Sequence, residues 1–184
     1  MFYSLEIRGQ SPLPVTQLYL PSFYKELARE QVDGIIELPL GMGDLGNFYQ
    51  IFHRKRVLKG WGEYSIPRAF PAGEIEWLSR VPEKVAGQNG FVEMLKILDP
   101  GKSLEEMILP SGFNPREIEE LKAAGYQYVI LHQTEFVRTD SLEGEKRYKK
   151  AKLLLTGLLG EPIKLEKEPL EGASKIYELA VFKL

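Results

Sequence analysis

A short apolar run followed by three glycines restricts the fold of this chain more than any other feature. The run Gly34–Leu38 contains two isoleucines and is stopped by Pro39, which lacks a backbone donor, so it predicts a buried strand. The following Gly41, Gly43 and Gly46 have the G-x-G-x-x-G spacing of loops that bind a dinucleotide pyrophosphate. The segment is therefore a core strand followed by either a nucleotide-binding loop or an ordinary glycine-rich loop.

The residues around these glycines favour the ordinary loop. A dinucleotide site needs a strand that runs directly into the first glycine and a helix that begins at the last one. Here Pro39 and Leu40 separate the strand from Gly41, and Phe48 and Tyr49 stand where close helix–strand packing requires small residues. We therefore expect a loop, and nucleotide binding through the glycines is the alternative.

The composition argues against several classes of protein. The 184 residues have a formal net charge of -2, which gives no electrostatic basis for a nucleic-acid partner. Cysteine is absent, so disulfides and thiolate metal sites are excluded, and the two histidines do not have a zinc-binding spacing. We expect no metal and no cofactor. Because no apolar run approaches the roughly 20 residues that span a bilayer, the sequence as given predicts a soluble chain.

Capping residues and side-chain periodicity predict the elements of the first half. Alternating polar and apolar side chains predict a half-buried strand at residues 2–8. Ser22 predicts the N-cap of a helix that runs through Gln31, and Asn89 predicts the cap of a later helix. Weaker patterns predict a strand near residues 56–59 and a short helix at residues 74–80.

The second half has clearer patterns. Asn114 and Pro115 predict the cap and first position of a helix that ends at Gly125, a residue suited to the left-handed conformation. The elements expected next are a strand at residues 126–131, a helix at about 143–159 that ends at Gly160, and strands at 163–166 and 175–183 joined across 171–172.

Alternating strands and helices predict an α/β fold. We expect residues 1–184 to form a single domain, with a mixed sheet, flanking helices and a C-terminal antiparallel hairpin. Residues 1–21 contain three prolines and should form an extended N-terminal segment.

Polar residues just past the 126–131 strand are the first candidates for a site. His132, Gln133 and Glu135 follow the carboxyl end of that strand, where open α/β sheets collect ligands, so they could line a pocket. A simpler interpretation is a polar strand end that faces solvent.

A second candidate group lies in the first half. His53, beside Arg54, could bind an anion or act in acid–base chemistry if it meets Asp44 in the fold. Tyr49 and Trp61 lie near glycines and could offer flat apolar faces to a sugar. Aromatic residues of this kind more often belong to the core.

Several short segments together resemble the C-terminal extracytoplasmic domain of bacterial and archaeal polytopic membrane proteins. Those proteins are similar to membrane glycosyltransferases that use lipid-linked sugars. The chain departs from the family at Trp61, where a small residue is usual, and in the glycine-rich residues 41–46. The resemblance is found in PVT (14–16), LPSFYKELA (20–28), IELPL (36–40), YQIFHRKRVLKG (49–60), GYQYVILH (125–132), LLGEP (158–162) and IYELAVFKL (176–184).

This resemblance implies an accessory domain. In such glycosyltransferases the catalytic acids belong to loops of the membrane portion, so this chain would bind glycan, lipid-linked sugar or that membrane portion without catalysing a reaction. It would be extracytoplasmic and follow an upstream membrane anchor, whereas a native start at Met1 would favour the cytoplasm. The ligand-binding candidates that the resemblance adds are Tyr49, Gln50, His53 and Arg68.

Overall fold

A five-stranded sheet organises the part of the chain that the structure describes. The computed structural model describes residues 20–40, 49–50, 52–58, 89–109, 114–138, 141–169 and 176–184. The sheet has the order β2-β1-β3-β5-β4. Its strands are β1 (Gly34–Leu38), β2 (Arg56–Val57), β3 (Tyr126–His132), β4 (Lys164–Pro169) and β5 (Ile176–Lys183).

The sheet is mixed, as the sequence predicts. Strand β1 pairs in parallel with both β2 and β3. Strand β5 pairs antiparallel with β3 on one side and with β4 on the other, so the C-terminal antiparallel strand pair is confirmed. Because two antiparallel steps restore the direction, β4 runs the same way as β1 and β3, and these three strands end at the same edge of the sheet.

Helices cover both faces of the sheet. One face carries Ile36, Val129 and Phe182 and packs against four helices. The other face carries Ile35, Ile130 and Val181 and packs against the first helix and Tyr49. This division follows from the two-residue period of a strand. The helices are α1 (Ser22–Leu27), α2 (Gly90–Leu95), α3 (Arg116–Ala123), α4 (Gln133–Val137) and α5 (Ser141–Leu159).

The first helix differs from the prediction at both ends. Ser22 is the first residue of α1 and not its cap, and the helix ends at Leu27, not at Gln31. The carboxylate of Glu166 takes the place of a local cap, because it accepts hydrogen bonds from the Ser22 hydroxyl and, at 2.9 Å, from the backbone N–H of Phe23. The helix stops where its buried side ends, and the chain then turns to pack Val32 into the core.

The other helix ends follow the sequence more closely. Asn89 caps α2 by accepting a hydrogen bond from the N–H of Val92 at 3.2 Å. Pro115 has helical dihedral angles, φ -56° and ψ -24°, and precedes α3. Helix α5 begins at Ser141, two residues before its predicted start, and ends at Leu159 as expected. The short helix α4 was not predicted, and the elements predicted at 2–8, 74–80 and 171–172 lie outside the described residues.

Two glycines end helices in the left-handed region. Gly125 follows α3 with φ 91°, and Gly160 follows α5 with φ 87°. An added Cβ at Gly125 would lie 2.7 Å from the Cβ of Asp33, whereas one at Gly160 would meet nothing within 4 Å. Gly125 is therefore required both by its dihedral angle and by the close approach of Asp33.

These two glycines form a matched pair for measuring how much the close approach of Asp33 to Gly125 affects stability. We expect Gly160→Ala to lower the free energy of unfolding by about 1–2 kcal/mol, since an alanine there has only the left-handed conformation to accommodate. Gly125→Ala should cost about 1–3 kcal/mol more, because the added methyl group overlaps Asp33. Urea unfolding of both variants measures the difference. Equal losses would show that Asp33 moves aside without cost.

Candidate functional site

Three polar residues meet at the edge where β1, β3 and β4 end. Glu37 is the fourth residue of β1, His132 is the last of β3, and Glu168 is the fifth of β4. The strand order reverses between β1 and β3, and ligands of open α/β sheets gather at such a point beside the carboxyl ends of the strands. All three side chains are at most 1% exposed, so this is a buried polar site.

A chain of hydrogen bonds connects these residues through Tyr24 of α1. The Tyr24 hydroxyl donates to Glu37 Oε1 at 2.8 Å and lies 3.1 Å from His132 Nε2. The other ring nitrogen of His132, Nδ1, lies 2.9 Å from Glu168 Oε1. Because the Tyr24 proton is donated to Glu37, its oxygen is free to accept from Nε2–H of His132. Both ring nitrogens then act as donors, which corresponds to the charged imidazolium.

Glu168 has every hydrogen bond that it needs to remain ionised. Its Oε1 also accepts from the Tyr49 hydroxyl at 2.8 Å, and its Oε2 accepts from the Thr134 hydroxyl at 2.6 Å. Burial raises the pKa of Glu168, but the charge and hydrogen bond of His132 and the two hydroxyl donors outweigh it, so this pKa is lowered.

Glu37 is much less well satisfied. Its Oε2 has no hydrogen-bond partner among the described residues. Burial raises its pKa to about 7, although the His132 charge and the Tyr24 hydrogen bond lower it. For His132, burial lowers the pKa, but the charge and hydrogen bond of Glu168 outweigh that effect, so this pKa is raised. The site therefore contains one firmly ionised carboxylate and one that titrates near neutral pH.

Stacked rings surround the hydrogen-bonded chain. The rings of Tyr24 and Tyr49 lie 4.4 Å apart with an interplanar angle of 25°. His53 stacks on Tyr24 at 5.4 Å, and Tyr49 stacks on His132 at 5.9 Å. These rings fill the space around the chain and exclude water from it.

The neighbouring candidates Gln50 and His53 bond elsewhere. Gln50 donates to the carbonyl oxygen of Lys55 at 3.3 Å, and His53 Nδ1 accepts from the Lys55 N–H at 3.0 Å. Gln50 Oε1 and His53 Nε2 have no hydrogen-bond partner among the described residues. Burial, and to a smaller extent the charge of Lys55, lower the pKa of His53 to about 3. His53 is therefore neutral at physiological pH.

Some of the site residues were predicted from the sequence, and others were not. Tyr49 and His132 belong to one network, and His132 is fully buried, so the simpler interpretation of a solvent-facing strand end does not hold for His132. Glu135 lies at the margin, 3.7 Å from Arg138. Gln133 Oε1 accepts from the N–H of Glu178. The remaining candidates, Arg68, Gly41, Gly43 and Gly46, lie outside the described residues.

Four members of the network were not among the predicted site residues. Glu37 had a recognisable signal, since it is a lone charge within the apolar run Gly34–Leu38. Glu168 had no such signal. The sequence of β4 is that of a charged, solvent-facing edge strand, and most of the strand has this character in the structure. Tyr24 and Thr134 have polar groups whose role depends entirely on their neighbours in the fold.

Two other features of the described residues bear on chemistry. No group of three or more His, Asp or Glu side chains there has an arrangement that could hold a metal ion. A surface depression of about 360 Å³ lies away from the network, between the turn at residues 101–105 and the first turns of α5, where Glu143 and Arg147 line it. Charges of both signs surround this depression.

Comparison with known proteins adds no relative. No protein-family model matches the chain, and neither the curated proteins nor the solved structures contain a match. None of the described helices is both long and apolar enough to cross a membrane. The described residues define an α/β protein with a buried carboxylate–histidine–tyrosine network, so its function has to be inferred from that site.

The energetic importance of the network can be measured at Glu168. We expect Glu168→Ala to lower the free energy of unfolding by about 3–5 kcal/mol, because buried His132 loses the partner that stabilises its charge and must either give up its proton or remain unpaired. Glu178→Ala is the matched control, since Glu178 likewise accepts from a tyrosine hydroxyl and pairs with a basic side chain, Lys152, but is 32% exposed. This control substitution should lower the free energy of unfolding by at most about 1 kcal/mol. A loss at Glu168 no larger than the loss at Glu178 would contradict the assignment.

Proposed function

We propose that this chain is an accessory extracytoplasmic domain of a polytopic membrane protein similar to membrane glycosyltransferases that use lipid-linked sugars. Under this proposal the chain has no catalytic activity of its own. It binds the membrane portion of its full-length protein and contributes to holding glycan or lipid-linked sugar there.

The observation that supports a non-catalytic role is that the reactive groups of the site are bonded to one another. A histidine that acts as a general base keeps one ring nitrogen directed at its substrate. Here Nδ1 of His132 is bonded to Glu168, Nε2 faces Tyr24, and the Tyr49 hydroxyl is donated to Glu168. Buried polar groups that satisfy one another, as His132 and Glu168 do here, make a fold rigid and specific.

The location of the resemblance supports the rest of the proposal. Three of the resembling segments, residues 36–40, 125–132 and 176–184, contribute to β1, β3 and β5, which are adjacent in the sheet. Two others contain Tyr24 and Tyr49, which join the same network. The resemblance therefore involves the core of the described fold and not a peripheral motif.

Membrane attachment and sidedness provide the direct test. The chain contains no cysteine, so a single Lys149→Cys substitution places one thiol in it at an exposed position of α5. In the full-length protein in its native host, we expect this thiol to react with a membrane-impermeant maleimide in intact cells and to fractionate with membranes. The same labelling of the protein without Lys149→Cys subtracts any thiols outside this chain.

Leu155→Cys is the matched control on the same helix. Leu155 is fully buried, so its thiol should react only after denaturation. Labelling of Lys149→Cys only after cell lysis, or recovery of the native protein in the soluble fraction, would overturn the proposal.

Nucleotide or sugar-phosphate binding through residues 41–46 is the alternative function. These residues follow β1 in the sequence and lie outside the described residues. Calorimetric titration of the chain with NAD, nucleotide sugars and inorganic phosphate distinguishes the two. We expect no binding up to millimolar concentration, and saturable binding that Gly43→Val abolishes would favour the enzyme.

A further inference from the structure

The buried network has more negative than positive charge. It contains the carboxylates of Glu37 and Glu168 and the single imidazole of His132. Within the described ranges, no lysine or arginine forms an ion pair with either carboxylate. With all three groups ionised the network would have a net charge of -1 in a water-free environment, which is costly. One additional proton makes it neutral.

That proton belongs on Glu37. Glu168 accepts from His132, Tyr49 and Thr134, all of which favour its ionised form. Glu37 accepts only from Tyr24 among the described residues, and its second oxygen has no partner. Ionisation of Glu37 therefore leaves a poorly solvated charge close to Glu168.

Helix α1 keeps water away from Glu37. It buries Phe23, Tyr24 and Leu27 against this face of the sheet, and the Tyr24 hydroxyl contacts both Glu37 and His132. When α1 leaves the sheet, Glu37 regains water and can ionise freely. Docking of the helix and protonation of Glu37 are therefore linked.

We propose that α1 is a proton-linked clamp, which holds the sheet most tightly while Glu37 is protonated and loosens as Glu37 loses its proton. This inference is independent of the proposed function, because it concerns only the contacts within the described fold.

The direction of the pH dependence follows from the proton affinity of Glu37 in the docked and undocked states of α1. Burial raises the pKa of Glu37 from its ordinary value of 4.5 to about 7 in the docked state. Docking therefore takes up a proton between these values, and its equilibrium constant falls by up to about tenfold per pH unit as pH rises. His132 adds no comparable dependence, because its pKa is raised mainly by Glu168 of β4, which stays beside it when α1 leaves the sheet.

One neighbouring group has the opposite effect. His53 stacks on Tyr24 and is neutral when docked, and burial lowers its pKa from 6.5 to about 3. Docking of α1 therefore becomes stronger as pH rises towards 6.5, and this gain offsets the Glu37 loss between about pH 4.5 and 6.5. The ionisable groups around Glu37 are Tyr24 from α1, Tyr49, His132 from β3, Glu135 from α4 and Glu168 from β4, while His53 lies behind the Tyr24 ring and β5 contributes the apolar Leu179.

Other contacts keep α1 in place when the clamp loosens. Glu166 accepts from the Phe23 N–H, and its own pKa is lowered, so it stays ionised throughout the neutral range. Lys164 forms ion pairs with Glu26 at 2.5 Å and with Glu166 at 3.0 Å. Loosening should therefore appear as more frequent local opening and not as global unfolding.

Amide hydrogen exchange measures this opening directly. The N–H of Ala28, which donates to the Tyr24 carbonyl oxygen at 3.1 Å, reports on α1. The N–H of Ala124, which ends α3 in the same way, is the reference. Protection factors, corrected for the intrinsic exchange rate at each pH, should stay nearly constant at Ala28 between pH 5 and 6.5. Above pH 6.5 they should fall relative to Ala124, by up to about tenfold per pH unit, until Glu37 has lost its proton near pH 7.

Two variants separate the opposing effects of Glu37 and His53 on the docking of α1. In Glu37→Gln, protection at Ala28 should rise with pH between 5 and 6.5, because only the His53 effect remains. In His53→Gln, it should fall over the same range, because only the Glu37 effect remains. Each slope should approach tenfold per pH unit. Profiles of both variants that superimpose on the wild-type profile would overturn the proposal.

A measurement on the unaltered protein covers the case in which a variant fails to fold. The side-chain carboxyl resonance of Glu37 can be followed by ¹³C NMR across the same pH range, with residue-selective labelling to identify it. We expect a midpoint near 7, well above the ordinary value of 4.5. A Glu37 midpoint at that ordinary value would equally overturn the proposal.

Discussion

The buried pair of His132 and Glu168 joins β3 to β4 across the intervening strand β5. Both side chains are fully buried, so removing them from water costs several kcal/mol per ion unless their hydrogen bonds compensate. The compensation is supplied by Tyr49, Thr134 and Tyr24, which come from three different parts of the chain. This pair therefore fixes the positions of α1, of the helical residues around Tyr49 and of the start of α4.

A network of this kind contributes to specificity more than to net stability. Apolar side chains of the same shape could fill the space without any desolvation cost. Only a chain that brings Glu168, His132 and Tyr24 together satisfies these polar groups, so alternative packings of α1 leave charges unpaired. Glu37 is the exception, since its second oxygen has no described partner and its pKa is raised. The hydrogen bonds of Glu168 and His132 thus fix one part of the network, whereas the protonation of Glu37 depends on pH.

Local signals account for much of the fold but not for the site. Strands β1 and β3 were evident because isoleucine, valine and tyrosine fit a buried sheet, and Gly125 and Gly160 marked the ends of α3 and α5. The start of α1 was predicted wrongly because its N-terminus is capped by Glu166, which is 143 positions away from Phe23 in sequence. Tyr49 and His132 were recognised as candidates, whereas their shared partner Glu168 had no distinguishing pattern.

The sequence by itself determined the α/β architecture and most element boundaries, because these depend on backbone preferences and on side-chain periods of 2.0 and 3.6 residues. Only the tertiary structure decided which polar residues would be buried. Glu166 and Glu168 are two positions apart on one strand, yet one caps α1 and the other holds His132. A carboxylate tolerates burial only when donors from distant parts of the chain reach it, and no local pattern contains that information.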